Sequence, residues 1–252
     1  MTAQPARLAV VTGGARGIGA AAVAALCRSG DRVVVCDRDT DGLGPVGTAP
    51  TPGTACGFLA DVRHLDQLDA LVEFLAGLGG AAVLVNNAAE VALLGTESAT
   101  PDEFTRVMET NVRAYWYLAV KLADQLAAHH GSIVNVGSTH PMQTKRSSFP
   151  YNTSKGAVLA LSKSLAVDLG DRGIRVNTVL PGICDTEPTR TWIAAQPDPI
   201  AAAAGTLADH PLGRLPTVDD VAEAIHFLCS SAAGGISGAE LIVDCGRQVM
   251  RR

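Results

Sequence analysis

Short runs of consecutive apolar, largely β-branched residues recur along the chain: LAVVT (8–12), RVVVCD (32–37), GTACGFLADV (53–62), AVLVNN (82–87), SIVNVGS (132–138), IRVNTVLP (174–181) and ELIVD (240–244). Between them lie longer stretches, 17–29, 64–78, 101–129, 150–170 and 218–229, in which apolar residues return at helical spacing. A strand exposed on one face alternates apolar and polar positions, whereas a strand that is apolar throughout is covered on both faces. Such strands alternating with helices predict a doubly wound α/β fold: about seven parallel strands with helices on either side. No linker, repeat or charge block divides residues 1–252 into two domains.

Two segments break the rhythm. DRDTDGLGPVGTAPTPGT (37–54) holds too many Gly and Pro residues for a full crossover helix, so a short helical turn plus loop is expected there. Residues 183–215 form a proline-rich insertion with one alanine-rich helical piece. In an open α/β sheet an insertion after the C-terminal end of a strand lies where ligands bind, so this one is expected to be a substrate lid.

Composition narrows the class of partner. Apolar residues make up 47% and charged residues 18% of the chain, enough for a large core and too apolar for global disorder. Net charge is −5, and the closing basic run Arg251-Arg252 is too short to matter, so neither nucleic acid nor a membrane surface is expected as a partner. The six cysteines are scattered without a CxxC pair, which argues against a disulfide frame or a metal site. The opening MTAQPARLAV runs straight into the first strand, and no apolar run reaches the length of a membrane helix, so a cytoplasmic location is expected. Abundant alanine, with arginine exceeding lysine, suggests a GC-rich bacterial source.

The chemistry begins at TGGARGIGAAAVAAL (12–26), which joins the first strand to the first helix. Gly13, Gly17 and Gly19 let backbone approach a pyrophosphate and aim helix N–H groups at it. Arg16 and Ile18 belong to the same turn. Asp37 ends the second strand, where a Rossmann-type site places the carboxylate that binds the adenosine ribose hydroxyls. That carboxylate would also repel a 2′-phosphate, whereas Arg16 and Arg38 would attract one. A direct contact outweighs two exposed arginines, so NAD is favoured over NADP. Further on, FPYNTSK (149–155) puts Tyr151 and Lys155 one helical turn apart on a single face; alone, the pair fits an ordinary exposed helix equally well.

With TGGARGIG, NNAA, NV, GS and YNTSK in order, the chain resembles the short-chain dehydrogenase/reductase family from about residue 7 to residue 246. The resemblance implies a Rossmann-like single domain and a set of site residues. Ser138 matches the catalytic serine, Tyr151 and Lys155 the YxxxK pair, and Asn111 the helix asparagine of a proton relay. Asp61 and Val62 match a pair lying along the adenine, and Asn86, Asn87, Ala88 and Ala89 stand in the NNAG position. Pro181, Gly182, Ile183 and Thr186 match the segment that holds the nicotinamide carboxamide. Two positions depart from the pattern: Ala89 replaces the glycine of NNAG, and Cys245 the first glycine of a VDGG ending. The first is expected to tighten the space beside the cofactor, the second to affect subunit packing.

Within this resemblance Tyr151 is the general acid/base. An isolated tyrosine is too weak a base at neutral pH, and an ammonium on the same helix face is expected to lower its pKa. Ser138 would donate to the substrate oxygen, and Asn111 would hold a water linking Lys155 to solvent. The loop THPMQTKRSSFP (139–150), with Thr139, His140, Gln143, Lys145 and Arg146, reads as a polar substrate wall, joined by Glu187 and Trp192 of the insertion. Ser138, His140, Gln143, Tyr151, Glu187 and Trp192 are therefore the expected substrate contacts, for a small polar alcohol or ketone such as a polyol, sugar or amino sugar. An NADPH-dependent biosynthetic ketone reductase and a non-catalytic dinucleotide-binding regulator are the rival readings. The family resemblance also implies a homodimer or homotetramer built on helices 101–129 and 150–170.

Overall fold

The computed structural model describes residues 6–250; the closing Arg251-Arg252 pair lies outside them. The first half runs β1 (Leu8–Thr12), α1 (Gly17–Arg28), β2 (Arg32–Asp37), β3 (Ala55–Leu59), α2 (Leu65–Gly77), β4 (Val83–Asn86) and β5 (Leu93–Leu94). Then follow α3 (Pro101–Met108), α4 (Ala114–Lys121), α5 (Ala123–Ala128), β6 (Ser132–Val136) and β7 (Phe149–Pro150). The last part is α6 (Tyr151–Asp168), β8 (Arg175–Pro181), α7 (Glu187–Ala194), α8 (Pro199–Ala208), α9 (Val218–Cys229) and β9 (Glu240–Val243).

Seven strands form one parallel sheet in the order β3-β2-β1-β4-β6-β8-β9. Strand order reverses between β1 and β4, and the crevice at their C-terminal ends is where such a sheet accepts a ligand. The continuous apolar runs now have a physical explanation. Val10, Val34, Leu84, Ile133 and Val176 pack against Leu68, Leu71 and Leu75 of α2, Leu118 of α4, Leu126 of α5 and Leu165 of α6. The alternate residues Ala9, Val11, Val33, Val35, Val85 and Val134 pack against Leu26 of α1 and Val221, Ile225 and Leu228 of α9. Burying each such side chain stabilises the fold by about 1.5–3 kcal/mol, so both faces hold the register. Among the described residues, no helix is long and apolar enough to cross a membrane.

Three local expectations change, and one small element is new. Residues 38–54 contain no helical turn; the buried Leu43 fills the space beneath the loop, and a single bridge links Val46 to Gly57. The helix expected over 101–129 is three helices. A π-helical turn, Glu109–Arg113, separates α3 from α4, and a break at the buried Leu122 separates α4 from α5. The insertion at 183–215 carries two helices, α7 and α8, instead of one, and neither contributes a buried residue. Finally, β5 and β7 make a small antiparallel ribbon, Leu93 opposite Pro150, that fastens the start of α6.

Candidate active site

The turn from β1 into α1 is shaped by its glycines. Gly13 and Gly17 have φ of 62° and 58°, in the left-handed region. A Cβ on Gly19 would lie 2.1 Å from the Gly13 carbonyl oxygen, and one on Gly13 would lie 2.7 Å from Ala88 Cα. Asn87 locks this turn: its Nδ2 donates to the carbonyls of Thr12 (3.1 Å) and Gly13 (2.8 Å). Thr12 Oγ1 accepts from the backbone N–H groups of Asn87 and Ala88. No side chain caps α1, so its first-turn N–H groups are open to an anion.

Beyond the turn lies a cleft of about 250 Å³ lined by Gly13, Arg16, Ile18, Asp37, Arg38, Asp61, Val62, Asn87, Ala88, Ala89 and Glu90, among others. Asp37 accepts from Ala15 N (3.0 Å) and Asp39 N (3.2 Å), so it braces the glycine turn and still faces the cleft. The two arginines weighed against it are engaged by carboxylates: Arg16 with Asp39 (3.2 Å), Arg38 with Glu90 (3.9 Å). Hydrogen bonds from Arg63 hold the Asp61 carboxyl below its ordinary range. A closely fitting glycine turn, uncapped helix amides and a strand-end carboxylate together fit a dinucleotide.

A second cleft, about 410 Å³, shares Ile18, Asn87 and Ala89 with the first, so the two form one groove along the strand ends. Ser138, Tyr151 and Lys155 meet in it, beside Pro181, Gly182, Ile183 and Thr186. Ser138 Oγ accepts from His140 N at 3.2 Å, which leaves its own proton to donate, and it is hydrogen-bonded to Tyr151. The His140 ring packs edge-on to the Tyr151 ring, 5.7 Å between centroids. Lys155 is almost completely buried; its Nζ donates to the Val136 carbonyl at 2.7 Å and lies 5.8 Å from the centre of the Tyr151 ring.

The electrostatics differ from the expectation. Burial pushes the Tyr151 hydroxyl above its ordinary pKa, and among the protein's groups it is the bond from Ser138 that pulls it down. Burial also lowers the Lys155 ammonium to about 7. A buried lysine directed at a carbonyl is a weaker source of positive charge than a solvated one, so the protein alone does not deliver the lowered tyrosine pKa.

Asn111 has a structural part that its sequence position did not reveal. Its Nδ2 donates to the Glu90 carbonyl (3.0 Å) and Ser154 Oγ (2.9 Å), and its Oδ1 accepts from Glu90 N (2.7 Å). Both amide protons are used, which leaves only acceptor oxygens of this residue for a water beside Lys155. The side chain also ties the loop after β4 to α6, because Ser154 Oγ in turn donates to the Tyr151 carbonyl at 2.7 Å. Ser154 was not singled out in the sequence, although its place three residues after Tyr151 is the signal. Another unanticipated network is buried: Asn86 Nδ2 donates to Asn135 Oδ1, whose own amide donates to Ser162 Oγ, both at 2.9 Å.

Two expected substrate contacts lie elsewhere. Residues 139–143 make a single turn, with Gln143 N bonded to the Thr139 carbonyl. That turn sends Gln143 to a separate depression with Asp209, Arg247 and Met250 while His140 faces the cleft. Glu187 is exposed; Pro188 and Trp192, one turn apart, take the inward face of α7. The walls are more apolar than the loop sequence suggested, because Val91 and Leu93 join them. Of the two departures from the motif, Ala89 keeps an ordinary negative φ, whereas Cys245 adopts a φ of 54°, the conformation for which a glycine is suited.

Comparison with known proteins agrees with this groove. A family model described as enoyl-(acyl carrier protein) reductase matches residues 13–248. The chain is 35% identical to an L-fucose dehydrogenase of Bos taurus over 96% of its length and 90% of the relative's. It is also 35% identical to a 4-formylbenzenesulfonate dehydrogenase of Comamonas testosteroni, covering 96% of this chain and 98% of that one. The solved structure of Thermoplasma acidophilum aldohexose dehydrogenase superposes with a TM-score of 0.87 at 28% identity, covering 98% of this chain and 96% of its own. A parallel sheet reversing at β1, a glycine turn closed by Asn87 and a Ser–Tyr–Lys cluster at the strand ends run along one length of chain with these similarities. The protein is therefore an oxidoreductase of the short-chain dehydrogenase/reductase family, a family that works with a nicotinamide dinucleotide.

Proposed function

We propose that the protein is an NAD-linked dehydrogenase that interconverts a secondary alcohol and its ketone in a small polar substrate, with Tyr151 as the general acid/base. The observation that carries this reading is the meeting of Ser138, Tyr151 and Lys155 at one end of a groove whose other end holds Asp37. The bound nicotinamide dinucleotide supplies the hydride acceptor or donor and, when oxidised, a positive charge. Gly13, Gly17 and Gly19 carry its phosphates, Asp37 the adenosine ribose, and Pro181 to Ile183 with Thr186 the nicotinamide end. Ser138 donates to the substrate oxygen and stabilises charge developing there. Tyr151 takes the hydroxyl proton in oxidation and returns it in reduction. Lys155, anchored on the Val136 carbonyl, lies beside the tyrosine ring, and Asn111 keeps the helix start in place through Ser154.

The relatives' names span a sugar and an aromatic sulfonate aldehyde, so a substrate that carries a polar group besides the reacting one is the shared theme. Helices α7 and α8 form the lid over that end of the groove. Exposed Trp116 and Val120 on α4 and Val167 on α6 support assembly into a homodimer or homotetramer, to be checked by sedimentation.

Fluorescence titration with NADH and NADPH tests the cofactor assignment. Wild type should bind NADH more tightly, and Asp37→Ala should lose that preference. Tighter binding of NADPH would transfer control to Arg16 and Arg38 and turn the reading towards ketone reduction; binding of neither would refute it.

A further inference from the structure

The substrate end of the groove carries charge of one sign. Its walls are largely carbon, from Val91 and Leu93 on one side and Ile183, Pro188 and Trp192 on the other. The charged residues lining it are Lys145 and Lys155, and among the described lining residues there is no carboxylate. The acids of the insertion are turned elsewhere: Asp185 is held by Arg190 at 2.7 Å, and Glu187 sits on the outer side of α7. An amino sugar, for which those acids would be needed, has no counter-charge here.

The two lysines are not equivalent. Lys155 is buried and committed to the Val136 carbonyl. Lys145 stands on the exposed loop before α6, and among the described residues it forms no ion pair. Its Nζ lies 5.2 Å from the centre of the Trp192 ring, so one cation spans the mouth between the loop and the insertion. That stacking fixes the ammonium in place while leaving its N–H groups free to donate. Deeper in, His140 has a buried Nδ1 without a partner. The field there is positive: after burial, Lys145 and Arg247 are what hold the imidazole below its ordinary pKa.

We propose that Lys145, held over Trp192, receives an anionic group of the substrate, a carboxylate or a sulfonate, which selects hydroxy or oxo acids with apolar carbon between the anion and the reacting carbon. This rests on the dehydrogenase reading for the identity of the reacting carbon, but charge selection by the cleft is measurable without turnover. Probes of matched shape are para-acetylbenzoate, para-acetylbenzenesulfonate and neutral acetophenone. Trp116 lies outside the cleft, so a Trp116→Phe background isolates the Trp192 fluorescence that reports binding.

Both anions should bind about tenfold or more tightly than acetophenone, with the difference shrinking in high salt. Lys145→Met, which keeps the apolar stem over the indole, should abolish most of that difference, and any gap between the two anions identifies the preferred acid. Equal binding of acetophenone, an unchanged preference in Lys145→Met, or no binding of any probe would overturn the proposal. Turnover with NADH and with NADPH is measured on the same probes. Anion selection without turnover on either cofactor would sink the dehydrogenase reading alone, whereas turnover without anion selection would sink this proposal alone.

Discussion

Lys155 makes a prediction about stability that can be worked from its surroundings. Its ammonium is buried against α6 and β6 and falls from an ordinary 10.5 to about 7. In the unfolded chain the same lysine is solvated and titrates near 10.5. Between those values the unfolded state binds a proton that the folded state lacks, so stability must rise with pH across that window. Below it both states are protonated and the penalty for the buried charge is constant, about 5 kcal/mol in total. Between pH 7 and pH 8 about 1 kcal/mol of that penalty is removed, which corresponds to roughly 2–4 °C in Tm for a chain of this size. Above pH 9 the trend should reverse. Cys36, Cys184 and Cys229 are pushed up to about 12 by burial, so they stay protonated in the fold while the unfolded chain gives up its thiol protons. Urea or thermal unfolding of wild type and Lys155→Met, at one protein concentration without cofactor, measures the slope. Wild type should gain stability from pH 7 to 8, before the thiols of the unfolded chain ionise appreciably, and Lys155→Met should be nearly flat over that unit. A flat wild type, or a slope that survives in Lys155→Met, would show that the Val136 carbonyl and the tyrosine rings keep the lysine charged.

Three further outcomes are expected. Gly19→Ala places a methyl group 2.1 Å from the Gly13 carbonyl oxygen and 2.6 Å from Asn87 Nδ2, so calorimetric titration should find cofactor binding lost in a protein that still folds. Tyr151→Phe should lower kcat by roughly 10²–10⁴-fold while NADH affinity, read by fluorescence, changes little. Cys245→Gly relieves a left-handed residue and should raise stability by up to about 1 kcal/mol in urea unfolding, because the release of strain exceeds the added freedom of the unfolded glycine.

Much of the molecule was legible from local pattern. Strand and helix alternation follows from side-chain periodicity, which is a property of neighbouring residues, and it placed all seven strands of the main sheet. The glycine turn was readable because the positions that cannot carry a Cβ announce themselves as glycines. Asp37, Ser138, Tyr151 and Lys155 lie at strand ends or one helical turn apart, so knowing the elements is enough to bring them to the groove. Where residues depend on distant partners, pattern carries no such information. Gln143 and His140 are three apart in a polar loop, yet one turn of backbone sends them to different sides. Asn111 is picked out by position, but only the fold brings Glu90 and Ser154 within reach of its amide and gives it a structural part as well. The low pKa of Lys155 likewise comes from desolvation by elements far apart in the chain, and the positive cleft from which acids happen to turn outward. Sequence by itself determined the sheet, the glycine turn and the strand-end and helix-start positions of Ser138, Tyr151 and Lys155, since periodicity and backbone conformation are local. Tertiary structure decided which side chains are spent on holding the site and what charge remains for a substrate, since desolvation and hydrogen-bond saturation depend on what is packed around each group.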